Sequence, residues 1–228
     1  MRFWQCRQTK YLTWDTVGAT INALMKGGNC MNLDSFKWLN ESKITVDGDT
    51  LTIFAPARTD FFNNPVPDPE SGKFLPIQKN APIYYTDVEG DFVVRAKVSP
   101  NFKTTWDAAC IMVVKDENMW IKAAFEKTDI DTLAVVSVVT NGRSDDANGC
   151  NIEADELWLQ VARVGDNFAI HYSLDGEKFD MVRLCLLPVG TTVKVGLEAQ
   201  CPVGEGGDRQ FSNFSIEKRT IAKLRDGK

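Results

Sequence analysis

Residues that bind metals or transfer protons are scarce in this chain of 228 residues. It has one histidine, His171, and none of its six cysteines forms a Cys-x-x-Cys pair. Because a structural zinc site needs several thiolates and imidazoles at short spacing, we expect no metal and no other cofactor. Cys110 lies in an apolar run, where a thiol behaves as a small hydrophobic side chain. We therefore favour free thiols, although the even number of cysteines leaves disulfides open.

Long apolar runs and an excess of positive charge are also absent. No stretch reaches the roughly 20 apolar residues that span a bilayer, and the N-terminal segment lacks the continuous apolar core of a signal peptide. A formal net charge of −5 gives no basic surface for nucleic acid or an anionic membrane. We therefore expect a cytoplasmic protein with neither of these partners, and the sequence leaves a homodimer open.

Alternating apolar and polar residues dominate the chain beyond residue 43, whereas helix signals are almost absent. A hairpin is predicted over residues 43–54, with its turn at Asp47-Gly48. Further strands are predicted at residues 91–99, 108–115, 119–127, 132–141, 157–164, 167–173, 178–186, 192–200 and 210–218. Short strands at regular spacing predict an all-β sandwich or barrel, and the chain length suits one such domain.

Three polar segments between the predicted strands are interpreted as loops. Residues 63–72 contain three prolines and a glycine, which exclude a helix or a central strand. Residues 141–150 and 204–208 are polar and rich in glycine. Long ordered loops often carry function, but plain surface loops are at least as common.

Residues 1–30 differ from the rest of the chain, since they show no strand alternation. They end in Lys26-Gly27-Gly28-Asn29-Cys30, directly before Met31. Codons for lysine and glycine can spell a purine-rich bacterial ribosome-binding site, so we expect Met31 to be the physiological start. The alternative is a genuine N-terminal arm. The domain is then predicted at residues 31–222, followed by a tail at 223–228.

One predicted strand carries the most suggestive set of side chains. In residues 119–127, alternation places Trp120, Lys122 and Glu126 on one face and Ile121 and Phe125 on the other. An indole ring beside a cation and a carboxylate suits a ring-shaped polar ligand such as a sugar. The alternative is that Trp120 packs on the sheet and the two charges form a solvated pair.

Other polar residues are predicted near such a face. Trp158 and Gln160 share one side of their strand, and they extend the Trp120 surface if the two faces are continuous. The alternative is that Trp158 fills the sandwich. His171 is more often a hydrogen-bonded sheet residue than a catalytic base in such a pattern. Arg58 and Asp60 precede the proline-rich loop, where Asp60 either caps backbone amides or contacts a ligand.

Five ordered motifs resemble a known family. They are Thr59-Asp60-Phe61-Phe62, Trp106-Asp107-Ala-Ala-Cys-Ile-Met-Val113, Trp120-Ile-Lys-Ala-Ala-Phe-Glu126, Ser137-Val-Val-Thr140 with Ser144-Asp145, and Tyr172-Ser-Leu-Asp-Gly176. In this order, between about residues 33 and 216, they are similar to the DUF1349 family of concanavalin A-like/glucanase-fold proteins, which includes a yeast protein linked to enolase regulation. The resemblance implies a two-sheet antiparallel jelly-roll sandwich with a concave face, a shape that binds glycans elsewhere in the superfamily.

The chain departs from the family pattern at two places beside the presumed groove. It has Asp107-Ala-Ala-Cys110 where Asp-Gln-Ala-Gly is common, and Ser144-Asp145-Asp146 where Ser-Asp-Trp is frequent. These departures affect ligand identity more than fold.

Catalytic carboxylates are hard to identify in the sequence. Superfamily hydrolases often carry them as Glu-x-Asp-x-Glu or Glu-x-Asp-x-x-Glu on one strand, and Glu153-Ala-Asp155-Glu156 has neither spacing. Glu126 is the better single candidate, with Asp107, Asp145 or Glu198 as its partner. Lys122, four residues away on the same face, favours ionised Glu126, which suits ligand binding or a nucleophile rather than a general acid.

The leading hypothesis is a non-catalytic binding module for a sugar or oligosaccharide. The alternatives are a glycan-processing enzyme that uses Glu126 and a protein-interaction or regulatory module. An open groove with a second carboxylate near Glu126 favours the enzyme, and a filled groove favours the interaction role. The candidate ligand-binding residues are Trp120, Lys122, Glu126, Trp158, Gln160, His171, Asp107, Ser144, Asp145, Arg58 and Asp60.

Overall fold

The computed structural model describes residues 33–74 and 76–228. The predicted leader, residues 1–30, lies outside the described residues. Sixteen strands and two short 3-10 turns, Leu33–Ser35 and Leu224–Asp226, make up the regular structure of the described part. The strands are β1 (Lys37–Leu39), β2 (Ile44–Asp47), β3 (Thr50–Pro56), β4 (Phe61–Phe62), β5 (Gln78–Lys79), β6 (Ile83–Glu89), β7 (Phe92–Ser99), β8 (Ala108–Asp116), β9 (Met119–Lys127), β10 (Leu133–Asn141), β11 (Arg143–Asn151), β12 (Leu157–Val164), β13 (Asn167–Ser173), β14 (Asp180–Leu186), β15 (Thr192–Gln200) and β16 (Gly206–Glu217).

Two large antiparallel sheets pack face to face in the described part of the chain. Sheet A has the order β1-β6-β15-β8-β9-β10-β11, and sheet B has the order β14-β13-β12-β7-β16-β3-β2. Strands β4 and β5 pair separately. The predicted two-sheet antiparallel jelly-roll sandwich is confirmed.

Strict alternation along the strands builds the core between the sheets. In β9, Ile121, Ala123 and Phe125 point inward and are fully buried, in contact with the inward residues of sheet B. Full burial of an apolar side chain as large as that of Ile121 or Phe125 stabilises the fold by about 1.5–3 kcal/mol. The intervening residues of β9 necessarily point to the outer face of sheet A, as predicted.

Both sheets have outer faces that other segments partly cover. Residues 57–74 and 76–80, which we call the strap, pass over sheet A and include β4, β5 and the proline-rich loop. Residues 220–228 pack on sheet B, where Ile221 joins Val93 and Ala162 in a small buried cluster. The predicted tail, residues 223–228, thus contains a 3-10 turn that contacts β12, β13 and β14.

The predicted strands are all present, but one predicted loop is wrong. Residues 141–150 coincide with strand β11, whose side chains are mostly exposed. This strand pairs with β10 alone at the edge of sheet A, so polar side chains on both of its faces remain solvated. Strand β6 lacked a clear alternation signal and was not predicted. β16 begins inside the predicted loop 204–208, whereas the proline-rich loop is confirmed.

Two further observations concern the described residues. They contain no helix that is long and apolar enough to cross a membrane. Their four cysteines, Cys110, Cys150, Cys185 and Cys201, are free thiols.

Candidate functional site

The register of sheet A brings polar side chains together at the middle of its outer face. Gln200 of β15 lies opposite Ala108 of β8, which in turn lies opposite Glu126 of β9. One row further along, Glu198 lies opposite Cys110. Because Ala108 is small, the longer polar side chains on either side of it have room to meet. These side chains and Asp60 of the strap form one group, which we call the Lys122 cluster. Its members are Asp60, Lys122, Glu126, Glu198 and Gln200.

Lys122 is almost completely buried, and all three of its ammonium hydrogens have acceptors. Nζ donates to Asp60 Oδ1 at 3.2 Å, to the Phe61 carbonyl at 2.9 Å and to Gln200 Oε1 at 2.7 Å. Burial is the largest single effect and acts to lower the pKa of Lys122, but its acidic neighbours, first Asp60 and then Glu198, together with smaller contributions outweigh burial and raise the pKa. The side chain therefore remains a fixed cation in the centre of the sheet.

The two glutamates of the cluster are poorly supplied with hydrogen-bond donors. Glu126 Oε2 accepts from Gln200 Nε2 at 3.4 Å. Among the described residues, no nitrogen or oxygen donor reaches either carboxyl oxygen of Glu198, and the donor beside it is the weak thiol of Cys110. Burial raises the pKa of Glu126 to about 8 and that of Glu198 to about 7, while Lys122 opposes both shifts. Glu126 is therefore mostly protonated at neutral pH and Glu198 is close to half protonated, so the expectation that Lys122 keeps Glu126 ionised is wrong, because the effect of burial is larger.

The strap closes over the cluster from outside. Asp60 Oδ1 accepts from the Phe61 amide at 2.7 Å in addition to Lys122, so the predicted local capping contact is present. Phe61 meets Trp120 edge to face, with ring centroids 5.8 Å apart. Trp120 is consequently fully buried. The expectation of an open Trp120 surface is wrong, because the strap folds back over this ring and no local sequence pattern indicates that path.

Hydrogen bonds hold the strap at its other end. The Asn63 amide donates to Ser144 Oγ at 2.9 Å, and Asn63 Nδ2 donates to the Gly142 carbonyl at 3.1 Å. Ser144 Oγ also lies 2.9 Å from Thr140 Oγ1. Ser144, a predicted ligand residue, therefore anchors the strap to sheet A.

Solvent reaches the cluster beside Glu126, which is 8% exposed. The nearest exposed aromatic residue along these contacts is Trp106, whose carbonyl accepts from Gln200 Nε2 at 2.8 Å and whose side chain is 42% exposed. Trp106 has a φ of 65°, in the left-handed region that disfavours residues with side chains. Such strain on an exposed aromatic residue is typical of a functional position.

Comparison with known proteins identifies the family. The model of DUF1349, a protein family of unknown function, matches residues 38–219. The chain belongs to the DUF1349 family. A relative from Saccharomyces cerevisiae, "Regulation of enolase protein 1", is 28% identical over 183 residues, which are 78% of this chain and 87% of the relative.

Solved structures similar to this DUF1349 protein share its sandwich. A functionally unknown protein from Saccharomyces cerevisiae is 25% identical, with a TM-score of 0.74 over 84% of this chain and 100% of the other. The carbohydrate binding module CBM66 from Bacillus subtilis is 12% identical, with a TM-score of 0.51 over 81% and 96%. A GH43 protein from Bacillus licheniformis is 14% identical, with a TM-score of 0.56 over 83% of this chain and 40% of that protein. These last two likenesses concern the fold alone.

Three predicted ligand residues of this DUF1349 protein lie on the other sheet. Trp158, Gln160 and His171 belong to β12 and β13, on the outer face of sheet B. The prediction that this face continues the Trp120 face is therefore wrong, since alternation shows which side of a strand a residue occupies but not which sheet the strand joins. Trp158 packs against the turn at Gly176, so it does not fill the sandwich.

Gln160 and His171 hydrogen-bond with each other on this outer face. Gln160 Oε1 accepts from Arg95 Nε at 2.5 Å, and Gln160 Nε2 lies 3.3 Å from both His171 Nδ1 and the Gly227 carbonyl. Burial lowers the pKa of His171. The pair therefore ties the C-terminal segment to sheet B.

Three more predicted residues have protein partners in this DUF1349 structure. Asp107 is buried and forms an ion pair with Arg209 at 2.7 Å. It also accepts from the amides of residues 103 and 104 at 2.9 Å. Asp145 pairs with Arg183 on β14 at 3.0 Å. Arg58 is exposed and lies 3.8 Å from Glu205.

The register of β11 corrects the choice between two neighbouring aspartates. Asp146, rather than Asp145, lies opposite Val138, which lies opposite Lys122. Asp146 thus shares the outer face of the cluster, and burial raises its pKa. Asp145 lies opposite Val139, on the other face of the sheet.

Sequence reasoning missed two residues of the site. Gln200 bridges Lys122, Glu126 and the Trp106 carbonyl, and its place at the end of an alternating strand gave no functional signal. Trp106 was part of a family motif and stood between the predicted strands 91–99 and 108–115, which is a usable signal for an exposed aromatic residue. No group of three or more His, Cys, Asp or Glu side chains in the described ranges is arranged to hold a metal ion.

Proposed function

We propose that this protein is a non-catalytic binding protein that takes a small, hydroxyl-rich ligand of the carbohydrate class at the Lys122 cluster. The observation that carries the proposal is Glu198, a fully buried carboxyl that receives no hydrogen from any nitrogen or oxygen donor among the described residues and has only the weak thiol donor of Cys110 beside it. A buried polar group without a hydrogen-bond partner costs about 1–3 kcal/mol, more for charged groups. A ligand that supplies donors relieves this cost.

The chemistry around Glu198 suits a sugar. Glu126 and Glu198 together offer four carboxyl oxygens to ligand hydroxyls, and Gln200 is held in place by Lys122 and the Trp106 carbonyl. Trp106, whose carbonyl accepts from Gln200, also has an exposed aromatic side chain. Stacking on an indole combined with a few fixed polar groups is a common way to recognise a sugar ring.

The strap limits the size of the ligand. Trp120 and Glu198 are fully buried beneath it, so a long glycan lying across the whole face of sheet A has no exposed platform. A single sugar or the end of a chain, entering beside Glu126, fits better. The carbohydrate binding module with the same fold is consistent with this reading, although at 12% identity it supports the fold alone.

We assign no hydrolysis to the site. Glycoside hydrolysis needs two carboxyl groups on either side of an accessible bond. Glu198 and Glu126 stand on strands separated by β8, about 10 Å apart across the sheet, and Glu198 is closed off by the strap. A binding role needs no bond that is accessible between the two carboxyl groups, but it does require a ligand that enters beside Glu126 to reach Glu198 beneath the strap.

A thermal-shift screen of mono- and disaccharides tests this proposal. Binding to the folded state raises the melting temperature with the ratio of ligand concentration to dissociation constant, so weak sugars register at high concentration. Trp106→Ala is expected to abolish the shift. Trp158→Ala, at a half-buried indole on the other sheet, is the matched control and is expected to retain it. Absence of a shift with every sugar tested would contradict the proposal.

Regulation of another protein is a second candidate. The yeast relative whose printed name concerns regulation of enolase matches this chain over most of both lengths, and the filled outer face of sheet A favours an interaction role over an open groove. The test is calorimetric titration with purified enolase from the same organism. Binding that Trp106→Ala leaves intact would favour this candidate, and absence of heat would remove it.

A further inference from the structure

We propose that the ligand of the Lys122 cluster carries an ammonium group, as an amino sugar does, and that this group binds between the carboxyls of Glu126 and Glu198. The inference rests on the proposed function, because it assumes that the Lys122 cluster is the binding site. It goes further by naming the charge and the functional group of the ligand.

The first argument comes from the hydrogen-bond donors of the cluster. Lys122 has three ammonium hydrogens, and these match Asp60, the Phe61 carbonyl and Gln200. Neither Glu126 nor Glu198 therefore receives a hydrogen from the lysine. The Gln200 amide has two hydrogens, which match the Trp106 carbonyl at 2.8 Å and Glu126 at 3.4 Å. Apart from any proton that Glu126 or Glu198 itself holds, every strong donor in the cluster is already committed, and the four carboxyl oxygens leave it with an excess of acceptors.

The second argument comes from the charges that face the cluster. β9 contributes Lys122 and Glu126, β15 contributes Glu198, the strap contributes Asp60 and β11 contributes Asp146. The Cys110 thiol of β8 lies beside Glu198, where burial keeps its pKa well above the usual range and the thiol neutral. In the described part of the chain, the lysine thus faces four carboxyl groups. Arg209 also acts on Glu198, but its ion pair is with Asp107.

A cation fits this surplus of carboxyl groups better than a neutral hydroxyl does. Hydroxyls satisfy the hydrogen-bonding capacity of Glu126 and Glu198 but leave their charges uncompensated, so the two groups must keep their protons. An ammonium group supplies three donors and one positive charge together. It therefore compensates the charge of one of the two carboxyl groups and allows that group to ionise, and the proton that it loses goes to the solvent. The exposed Trp106 indole adds a surface for the sugar ring and a favourable site for a nearby cation.

Calorimetric titration with three probes tests the inference. Glucosamine, glucose and ethanolamine are each titrated at pH 7 in two buffers of different ionisation enthalpy. We expect glucosamine to bind at least about tenfold more tightly than glucose. The heat measured with glucosamine is expected to depend on the buffer, because binding releases protons that the buffer takes up. The heat measured with glucose is expected to be the same in both buffers. At pH 5.5 the glucosamine affinity is expected to fall, because both glutamates then hold their protons more firmly.

Variants assign the effect to the two glutamates. Glu198→Gln is expected to bring the ratio of glucosamine to glucose affinity towards one and to reduce proton release. Glu126→Gln, at the group nearest to solvent, gives the same reading if Glu198→Gln does not fold. Glu153→Gln, at an exposed carboxyl between β11 and β12, is the control and is expected to retain both the ratio and the proton release.

The outcomes separate this inference from the proposed function. Equal binding of glucose and glucosamine, or binding of glucosamine without proton release, overturns the ammonium inference and leaves sugar binding in place. Ethanolamine binding as tightly as glucosamine overturns the amino-sugar assignment in favour of a general amine site. If none of the three probes nor any other sugar binds, both proposals fail.

Discussion

Glu126 and Glu198 make the stability of this protein depend on pH in a direction that is unusual for carboxyl groups. Burial raises the pKa of Glu126 from 4.5 to about 8 and that of Glu198 from 4.5 to about 7. Between these values the folded state binds more protons than the unfolded state, so the free energy of unfolding falls as pH rises. Glu198→Gln is therefore expected to gain stability relative to wild type between pH 5 and pH 8, by roughly 3 kcal/mol.

Urea unfolding of wild type and Glu198→Gln at pH 5 and pH 8 measures this difference. The difference between variants is measured because the wild-type pH dependence has a second contribution. Burial lowers the pKa of His171, and this lowers the free energy of unfolding as the pH falls below the ordinary pKa of histidine. Both variants share that contribution. Glu153→Gln is the control for loss of one surface carboxyl. A difference between Glu198→Gln and wild type that does not change with pH would show that Glu198 ionises normally in the folded protein.

Asp107 and Asp145 offer a matched pair of Arg–Asp contacts that differ mainly in burial. The Asp107–Arg209 pair is buried, with side chains 1% and 0% exposed, whereas the Asp145 side chain is 73% exposed. Asp107→Asn leaves the Arg209 charge without its partner inside the sandwich, and we expect a loss of about 3–5 kcal/mol. Asp145→Asn is expected to cost less than about 1 kcal/mol. Chemical denaturation of both variants tests this, and equal losses would contradict it.

Alternation allowed some of these residues to be placed from sequence, but not their partners. It assigned Trp120, Lys122 and Glu126 to one face of β9, because the side-chain period of a strand is two. It failed for Asp145 and Asp146, because β11 was interpreted as a loop and a loop has no defined faces. The Asp107–Arg209 ion pair joins residues about a hundred positions apart, and nothing local in the sequence encodes it.

At the level of elements, the strap determines which part of sheet A reaches solvent. Its proline content correctly predicted a long loop, because proline cannot donate to a sheet. Its path was not predictable, since it depends on contacts with distant residues such as the Asn63–Ser144 hydrogen bond and the Phe61–Trp120 ring contact. This is why the predicted site was correct in its residues on β9 but wrong about the exposure of Trp120.

Two phenylalanines in the strap test whether its packing on Trp120 holds it in place. Phe61 is 2% exposed and contacts Trp120, whereas Phe74 is 50% exposed and lies over Arg143. Phe61→Ala leaves a cavity above Trp120, and we expect a loss of about 3–5 kcal/mol. Phe74→Ala is expected to change stability by less than about 1 kcal/mol. Urea unfolding measures both, and a Phe61→Ala variant as stable as Phe74→Ala would mean that the strap does not depend on this contact.

At the scale of the whole molecule, the sequence predicts a sandwich but not the assignment of strands to sheets. Hairpins such as β12–β13 follow from local turns and alternation. The sheet to which such a hairpin belongs depends on how the two inner faces pack against each other. That packing brings together residues that are far apart in the chain. The error over Trp158 and Gln160 has this origin. Their strand was correctly predicted with the correct outward face, but that face belongs to sheet B.

The C-terminal segment shows that the folded unit extends past the family match, which ends at residue 219. Ile221 is 4% exposed and packs with Val93 and Ala162, and the Gly227 carbonyl accepts from Gln160.

Deletion of residues 220–228 uncovers this apolar surface and leaves the buried Gln160 and His171 open to water. Burial of one large aliphatic side chain stabilises by about 1.5–3 kcal/mol, and in a protein of this size each kcal/mol shifts the melting temperature by about 2–4 °C. We therefore expect the truncated protein to melt roughly 5–10 °C lower, and Ile221→Ala to account for about half of the loss. Leu186→Ala, at a leucine that is 69% exposed on the edge strand of the same sheet, is the control and is expected to melt within about 1–2 °C of wild type. A truncated protein that melts at the wild-type temperature would place the last nine residues outside the cooperative fold and confine that fold to the part that the family model matches.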